Sequence, residues 1–540
     1  MALTGTVQKF EDLPAAAGVG SIYRVTGSAD AGFATYYVVK AGDGTWNETV
    51  IPDVNSNIDP ATMPHALVRQ PDGTFLFAPF TWQARRVGDE KSNPTPTFIG
   101  RPIRDVFFYA NRLGFLADET VMFSVAGDYS DFWRRTVLDY VAADALAVSA
   151  TTTDVATLDY AVPFNDGIML FSGQRQFSLT NGDAGLAADT VEIKPVTNYL
   201  MSRNVRPAPV GSQVYFASDS GGNVQLQEYT RQEGSDATDA AEVTAHVPGL
   251  VPSGITQIVA APDLNSVIVL RSGHADAYPY QFFWNGNEKV QSAWRTWDFE
   301  GGLVISGTYF DGRLSLVMKR GDRFSIEALD LRPTAKTINQ NALIHLDRSV
   351  TLTGVYDAPR NRTVFTFPYQ PDPSKVVLIR GTGSPHPDSQ MLNVTFDTLT
   401  VVSVPGNETG FTVTGGETYG FRFQFSRQYP LDYQGRPLTT GRLQITNWSV
   451  VYTDTGFFQT EVKPYGPDVM GVTPTVTNYS GRLLGTASYR LGQITYQSGS
   501  HTFSVGADAK LATVAITSRS PYPLTLVSAE WEGKFFNRAL

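Results

Sequence analysis

The side chains best suited to chemistry are scattered along this chain. Its six histidines, His65, His246, His274, His345, His386 and His501, lie at least 28 residues apart and form no HxH, HExxH or HxxxH pair. Metal ligation from neighbouring positions has no support, and each ring reads as a loop or satisfied core residue. The absence of cysteine excludes disulfides, thiolate catalysis, cysteine-bound zinc and iron–sulfur clusters. No GxSxG, Walker or GxGxxG unit occurs, and GVGS at 18–21 and GTGS at 381–384 have too few glycines in register to cradle phosphate. No cofactor and no metal are expected. The acidic run Glu233, Asp236, Asp239 and Glu242 has the charge for a cation site or a repulsive surface. It lacks the fixed glycine of a calcium loop, so a solvated acidic face is expected. Carboxylate pairs for glycoside hydrolysis arise by chance among 52 acids and are no evidence of that activity.

The aromatic residues say more. Trp284, Trp294 and Trp297 fall in YPYQFFWNGNEKVQSAWRTWDFEG, residues 278–301, where large rings around a polar turn would pack one sheet face and anchor it to a neighbour. Core packing is the preferred reading over a carbohydrate platform.

Elements able to position such residues must be strands. The 540 residues are 42% hydrophobic, 12% aromatic and 17% charged, with 48 Gly and 32 Pro, the composition of a turn-rich β protein with ample core. That length suggests roughly three or four domains. Forty-two basic against 52 acidic residues give a formal charge of −10, the wrong sign for gripping nucleic acid by its phosphates. No signal-peptide pattern opens the chain and no run reaches about 18 apolar residues, so no membrane-spanning segment is expected.

Residues 1–100 read as β-hairpins, with bends at Gly42–Gly44 and Asp72–Gly73. Residues 101–332 read as a body of antiparallel strands separated by turns such as Asp219–Gly222, Asn285–Gly286 and Asp311–Gly312. This spacing favours sheets set radially as propeller blades, with a sandwich as the next choice. One helical segment is expected at 128–146, where Phe132, Val137, Tyr140 and Val141 would share a face behind an Asp or Ser cap. The pattern loosens near 331–340, and 333–540 reads as a second, C-terminal β region. The expected fold class is all-β, a propeller-like central body with an additional C-terminal β domain.

Three stretches together resemble a known family. They are DVFFYANRLGFLADETVMFSVAGDYSDFW at 105–133, TLDYAVPFNDGIMLFSGQRQFSLT at 157–180 with RPAPVGSQVYFASDSGGNVQLQEY at 206–229, and DAAEVTAHVPGLVP at 239–252 with VQSAWRTWDF at 290–299. In order and spacing they are similar to the tail tubular protein B, or tail nozzle, family of short-tailed podophages, and GRLQITNWSVVYTDTGFF and SAEWEGKFF resemble its C-terminal part. The front departs from that family: the usual Gly-rich GGxSQQP-like opening is missing, as in a short member or one lacking that N-terminal segment.

The resemblance implies a virion tail structural protein, synthesised in the host cytoplasm and not an enzyme. It implies a homohexameric ring under the tail adaptor ring, possible contact with tail fibres, and a C-terminal tube tip around the channel for genome ejection. Genomic DNA would pass without sequence-specific binding. A glycan-degrading or glycan-binding phage tail protein is the alternative. The motif residues are expected to be architectural: Arg112 paired with an acid such as Asp105, Asn111 bonding backbone in a turn, Gly114 supplying conformational freedom, and Asp128 with Asp131 capping a helix before Phe132 and Trp133.

Overall fold

The computed structural model describes residues 2–27, 35–54, 56–139, 141–150, 156–164, 167–181, 186–187, 190–231, 238–286, 288–332, 337, 343–387, 389–465, 473–480 and 496–536. The chain divides into two compact units, Met1–Ala328 and Leu329–Leu540. Both are built of strands. Among the described residues there is no α-helix, and no helix is long and apolar enough to cross a membrane.

The first unit begins with a four-stranded sheet in which Leu3–Val7 runs parallel to Ile22–Val25, followed by the hairpin Tyr36–Lys40 and Trp46–Thr49. His65–Arg69 and Phe75–Pro79 form a separate two-stranded hairpin whose turn is pinned by Asp72, which accepts from the Thr74 amide and hydroxyl.

A run of antiparallel meanders follows. Their strands are Asp105–Tyr109, Arg112–Ala117, Thr120–Phe123 and Leu146–Ser149; Leu158–Phe164, Gly167–Ser172, Gln176–Thr180 and Glu192–Thr197; Ala208–Val210, Gln213–Ser220, Asn223–Arg231 and Thr238–Glu242; Gln257–Ala261, Ser266–Leu270, Asp276–Asn285 and Glu288–Trp294; and Leu303–Phe310, Arg313–Arg320 and Arg323–Asp330. Each meander lies beside the next through its first strand, so Asp105–Tyr109, Leu158–Phe164, Ala208–Val210, Gln257–Ala261 and Leu303–Phe310 are successive neighbours.

Burial shows why the sheets stack. In Gly167–Ser172 every residue is buried: Ile168 and Leu170 join Leu116, Phe123 and Phe177 in one core, whereas Met169 and Phe171 join Val214, Phe216 and Tyr229 in another. A strand with apolar side chains on both faces needs a layer on each side. The next core again spans two meanders, with Tyr215 and Leu226 against Val267, Tyr280 and Phe282.

In the second unit two pairs of sheets enclose two cores. Leu352, Phe365, Leu378, Val402 and Val413 fill the first. Trp448, Phe458, Val462, Phe503 and Ile516 fill the second, around the long strand Arg442–Thr455, which is flanked by Gln497–Asp508 and Thr525–Phe536. Alternating burial along Arg442–Thr455 is what one covered and one open face require.

The helix expected at 128–146 is absent from its described residues, which form turns leading into the strand Leu146–Ser149. Competing hydrogen bonds explain the difference. The amide of Trp133 donates to Asp131 Oδ1, that of Arg134 to Asn93 Oδ1 and that of Val137 to Glu48 Oε2. At the far end, Arg112 draws in the carbonyls of Ala142 and Asp144. Donors and acceptors of a helical ladder are therefore already committed, one to a local turn and the rest to distant partners. The apolar periodicity is real, but Phe132 and Trp133 share a core with Phe98 and Phe115 while Val137 joins Val25 and Val38 in another.

Candidate functional site

The NRLGFL segment forms the hairpin between the strands Asp105–Tyr109 and Arg112–Ala117. Ala110 and Asn111, both at positive φ (47° and 58°), make its two-residue turn, the twist-matched geometry that favours Asn. The Asn111 carbonyl accepts from the Gly127 amide and its Oδ1 from the Tyr129 hydroxyl, which joins this turn to the next segment. Gly114 is needed for space. A Cβ there would lie 2.3 Å from Cζ of Phe107 on the paired strand, and Gly114 is not among the positive-φ glycines; conformational freedom is not its role.

Arg112 does not pair with Asp105. Its guanidinium is buried and donates to the carbonyls of Ser124 at 2.7 Å, Ala142 and Asp144. Burial lowers its pKa, opposed by the Asp144 carboxylate. A planar donor fork can satisfy several carbonyls at once, so Arg112 ties the irregular 142–144 segment to the sheet.

Asp105 instead reaches the next sheet and the segment that leads into the one after it. Oδ2 accepts from the Ala161 amide at 2.9 Å and Oδ1 pairs with Arg206, whose Nη2 donates to the Ala161 carbonyl at 3.1 Å. Beside it Arg203 lies 3.3 Å from the buried Asp159, and the Tyr160 hydroxyl donates to the Arg203 carbonyl at 2.7 Å. Burial raises the Asp159 pKa against the pull of Arg203 and Arg104. These contacts link three consecutive meanders near their first strands.

Asp128 and Asp131 cap turns rather than a helix. Asp128 Oδ1 accepts from Ser130, while Asp131 accepts from the Trp133 amide and from Arg86 at 2.7 Å. The Trp133 indole donates to the Gln83 carbonyl at 3.0 Å, and Arg85 stacks over its ring.

A second tie joins the third and fourth meanders. Lys289 Nζ lies 2.6 Å from both oxygens of Glu228, which also accepts from the Tyr215 hydroxyl at 2.6 Å. Burial and the Glu228 charge push the Tyr215 phenol far up, and Lys289 lies against the rings of Tyr280, Phe282 and Trp284. Trp294 closes the group: its indole donates to the Val243 carbonyl at 2.9 Å and its ring packs on Tyr280. Trp297 is half-buried under Arg295.

Of the acidic run, Glu233 and Asp236 lie outside the described residues. Asp239 pairs with Thr230 in the strand Thr238–Glu242, and Glu242 accepts from Gln225 and Thr244. No cluster of three metal-binding side chains occurs among the described residues. The sequence reading missed Arg206, Asp159, Glu228 and Lys289.

Carboxylates and guanidinium groups in these clusters are spent on one another and on backbone groups, an arrangement suited to holding sheets in fixed relation. Comparison with known proteins gives the family: the family model described as bacteriophage nozzle protein matches residues 1–540. The chain belongs to that family. A curated relative of this nozzle protein, tail tubular protein gp12 of Escherichia phage T7, is 28% identical over 564 aligned positions, covering 99% of this chain and 69% of the relative. The protein is thus a structural component of a short phage tail, located in the virion. The glycan-degrading or glycan-binding alternative is not favoured. Among solved structures, Hsv2 of Kluyveromyces lactis (11% identity, 57% of this chain and 87% of that one, TM-score 0.28) and of Kluyvelomyces marxianus (10%, 61% and 87%, 0.29) show only slight likeness. At those scores nothing about fold or function follows.

Proposed function

We propose that this nozzle protein assembles as a homohexameric ring below the adaptor ring of the tail and walls the channel through which the genome leaves, without catalysing a reaction. The observation that carries this reading is the family match along all 540 residues. Residues 101–332 serve as a propeller-like body, a reading supported by consecutive antiparallel meanders whose first strands are successive neighbours. Residues 1–100 form the N-terminal β-hairpin region and 333–540 the C-terminal β tip. Asp105, Asn111, Arg112, Gly114, Asp128, Trp133, Trp294 and Trp297 hold this architecture. Tail fibres are further candidate partners.

DNA passes without being held. Six copies at −10 each bring a formal charge near −60, and with a Debye length of about 8–10 Å acidic groups on a narrow wall repel phosphates at short range. Native mass spectrometry of the purified chain, alone and with its adaptor, tests the ring: a closed oligomer is expected in at least the second case, and a monomer in both contradicts it.

A further inference from the structure

The long strand Arg442–Thr455 and its neighbours Gln497–Asp508 and Thr525–Phe536 make an antiparallel sheet with two unlike faces. Trp448, Val450, Phe503 and Val505 point into the core. The opposite face is polar and largely neutral: Ser449 shares a hydrogen bond with Thr502 (2.6 Å) and Thr453 with Ser498 (2.9 Å), while Ser504 donates to Asn447 (3.3 Å). Its charges are confined to the margins. Glu530 and Glu532, paired with Ser449 and Asn447, stand exposed along one edge. Among the described residues the only cations of this face are Arg442 and Lys534, both at one end of the sheet, where Arg442 lies 3.5 Å from Asp508.

Both outer strands are 12 residues long, against the usual length of about 5–6. Among the described residues neither has a partner on its outer side. The edges of the sheet packed on them, Phe421–Gln424 and Thr475–Ser480, are only four and six residues long. A long open edge is a template for another strand. Each outer strand is antiparallel to the central one, so the two run in the same direction. Rotation about a ring axis preserves that direction, and Thr525–Phe536 of one copy can therefore pair in parallel with Gln497–Asp508 of the next. Self-pairing of Thr525–Phe536 about a two-fold at its midpoint would instead set Glu530 and Glu532 against their own copies, and like charges directly opposite are destabilising. Across the heterologous seam they meet the neutral Ser500, Thr502 and Ser504.

We infer that these edges join copy to copy and close the sheets into one barrel, whose hydroxyl-lined face is the wall that the genome slides along. Such head-to-tail contacts generate rings. Six copies of a three-stranded sheet reach the size class of roughly 16–18 strands at which a barrel encloses an aqueous channel. With strands about 4.8 Å apart and tilted about 40°, the backbone wall is roughly 36 Å across. Each layer of inward side chains takes about half of the ~10 Å between packed sheets, which leaves roughly 25 Å, room for duplex DNA. Neutral hydroxyls with an acidic pair at each seam offer a polyanion no counter-charge to bind. The apolar face of the barrel is covered from outside by each copy's own second sheet. This inference rests on the ring and channel reading above and names the surface that forms the wall.

The chain has no cysteine, so introduced ones report the seam. Full-length Glu530→Cys is mixed in turn with full-length Ser500→Cys, Thr502→Cys and Ser504→Cys, assembled with the adaptor and mildly oxidised. Glu530→Cys alone, and its mixture with Val19→Cys at an exposed position in the first unit, are the controls. A disulfide dimer is expected in at least one of the three mixtures and in neither control. The direction in which the face points is read separately. Rings of Ser449→Lys/Thr502→Lys are expected to hold duplex DNA at least about tenfold more tightly at about 0.05 M salt than rings of Val19→Lys, with a steep loss by about 0.2 M. Rings whose cysteines stay free in all three mixtures, a dimer from Glu530→Cys alone, or lysines that leave DNA retention unchanged overturn the inference and leave the ring standing. A wild-type chain that forms no ring with its adaptor overturns both.

Discussion

Arg112 and Gly114 sit two residues apart in one motif and do opposite things, one filling space with a charge and the other emptying it. Replacing Arg112 with Met leaves the carbonyls of Ser124, Ala142 and Asp144 without their buried donor, and the expected loss is about 3–5 kcal/mol by denaturant titration. Arg112→Lys restores little, because an ammonium cannot reach carbonyls spread around a planar fork. Gly114→Ala drives a methyl into the Phe107 ring and is expected to cost about 2 kcal/mol or more. Phe107→Leu in the same chain should recover part of that loss, a coupling that a double-mutant cycle measures. Acid sensitivity has a residue-level source in the second unit. Burial lowers the pKa of His345, so the folded state binds its proton less readily than the unfolded chain. The stability it supports is full above about pH 6.5 and is lost as pH falls through the lowered value. The Tm of wild type should therefore drop more between pH 7.5 and about pH 5 than that of His345→Gln, as differential scanning calorimetry would record.

Contacts between meanders depend on buried polar ties as well as on apolar layers. Lys289→Met alone strands the Glu228 carboxylate among Tyr215 and the apolar core and should destabilise by about 3 kcal/mol or more. Adding Glu228→Gln should return most of it, since removing both charges of a buried pair is often nearly neutral. Strand character and turns were legible at this scale because turn residues follow local rules: Asp72–Gly73 reads as a hairpin bend, and the strands on either side of it pair. The expected helix at 128–146 failed for the converse reason. Its hydrogen bonds were diverted by Glu48, Asn93 and Arg112, residues remote in sequence and invisible to a periodicity. The pairing of Asp105 with Arg206 was hidden likewise, because 101 residues separate them, while the nearer Arg112 offered a plausible wrong partner. Trp294 was legible as a core anchor, since a large ring with one polar atom needs both a packed face and an acceptor.

For the whole molecule, the family match along the full chain makes the protein a structural component of the phage tail, and under the proposed function its work is done by the assembly. Its acidic balance bears on what the assembly does with nucleic acid. Filter binding of the assembled protein to duplex DNA should show no retention at about 0.15 M salt, where exposed charges are screened beyond about 8 Å; retention that weakens steeply with salt would reveal phosphate-gripping cations instead. The central claim is that copies of this chain wall the genome's exit. Electron cryomicroscopy of mature tails tests it most directly. The account predicts a closed six-fold ring of this chain around an axial channel wide enough for duplex DNA, whereas a single copy, or copies set beside an axis walled by another protein, would contradict it.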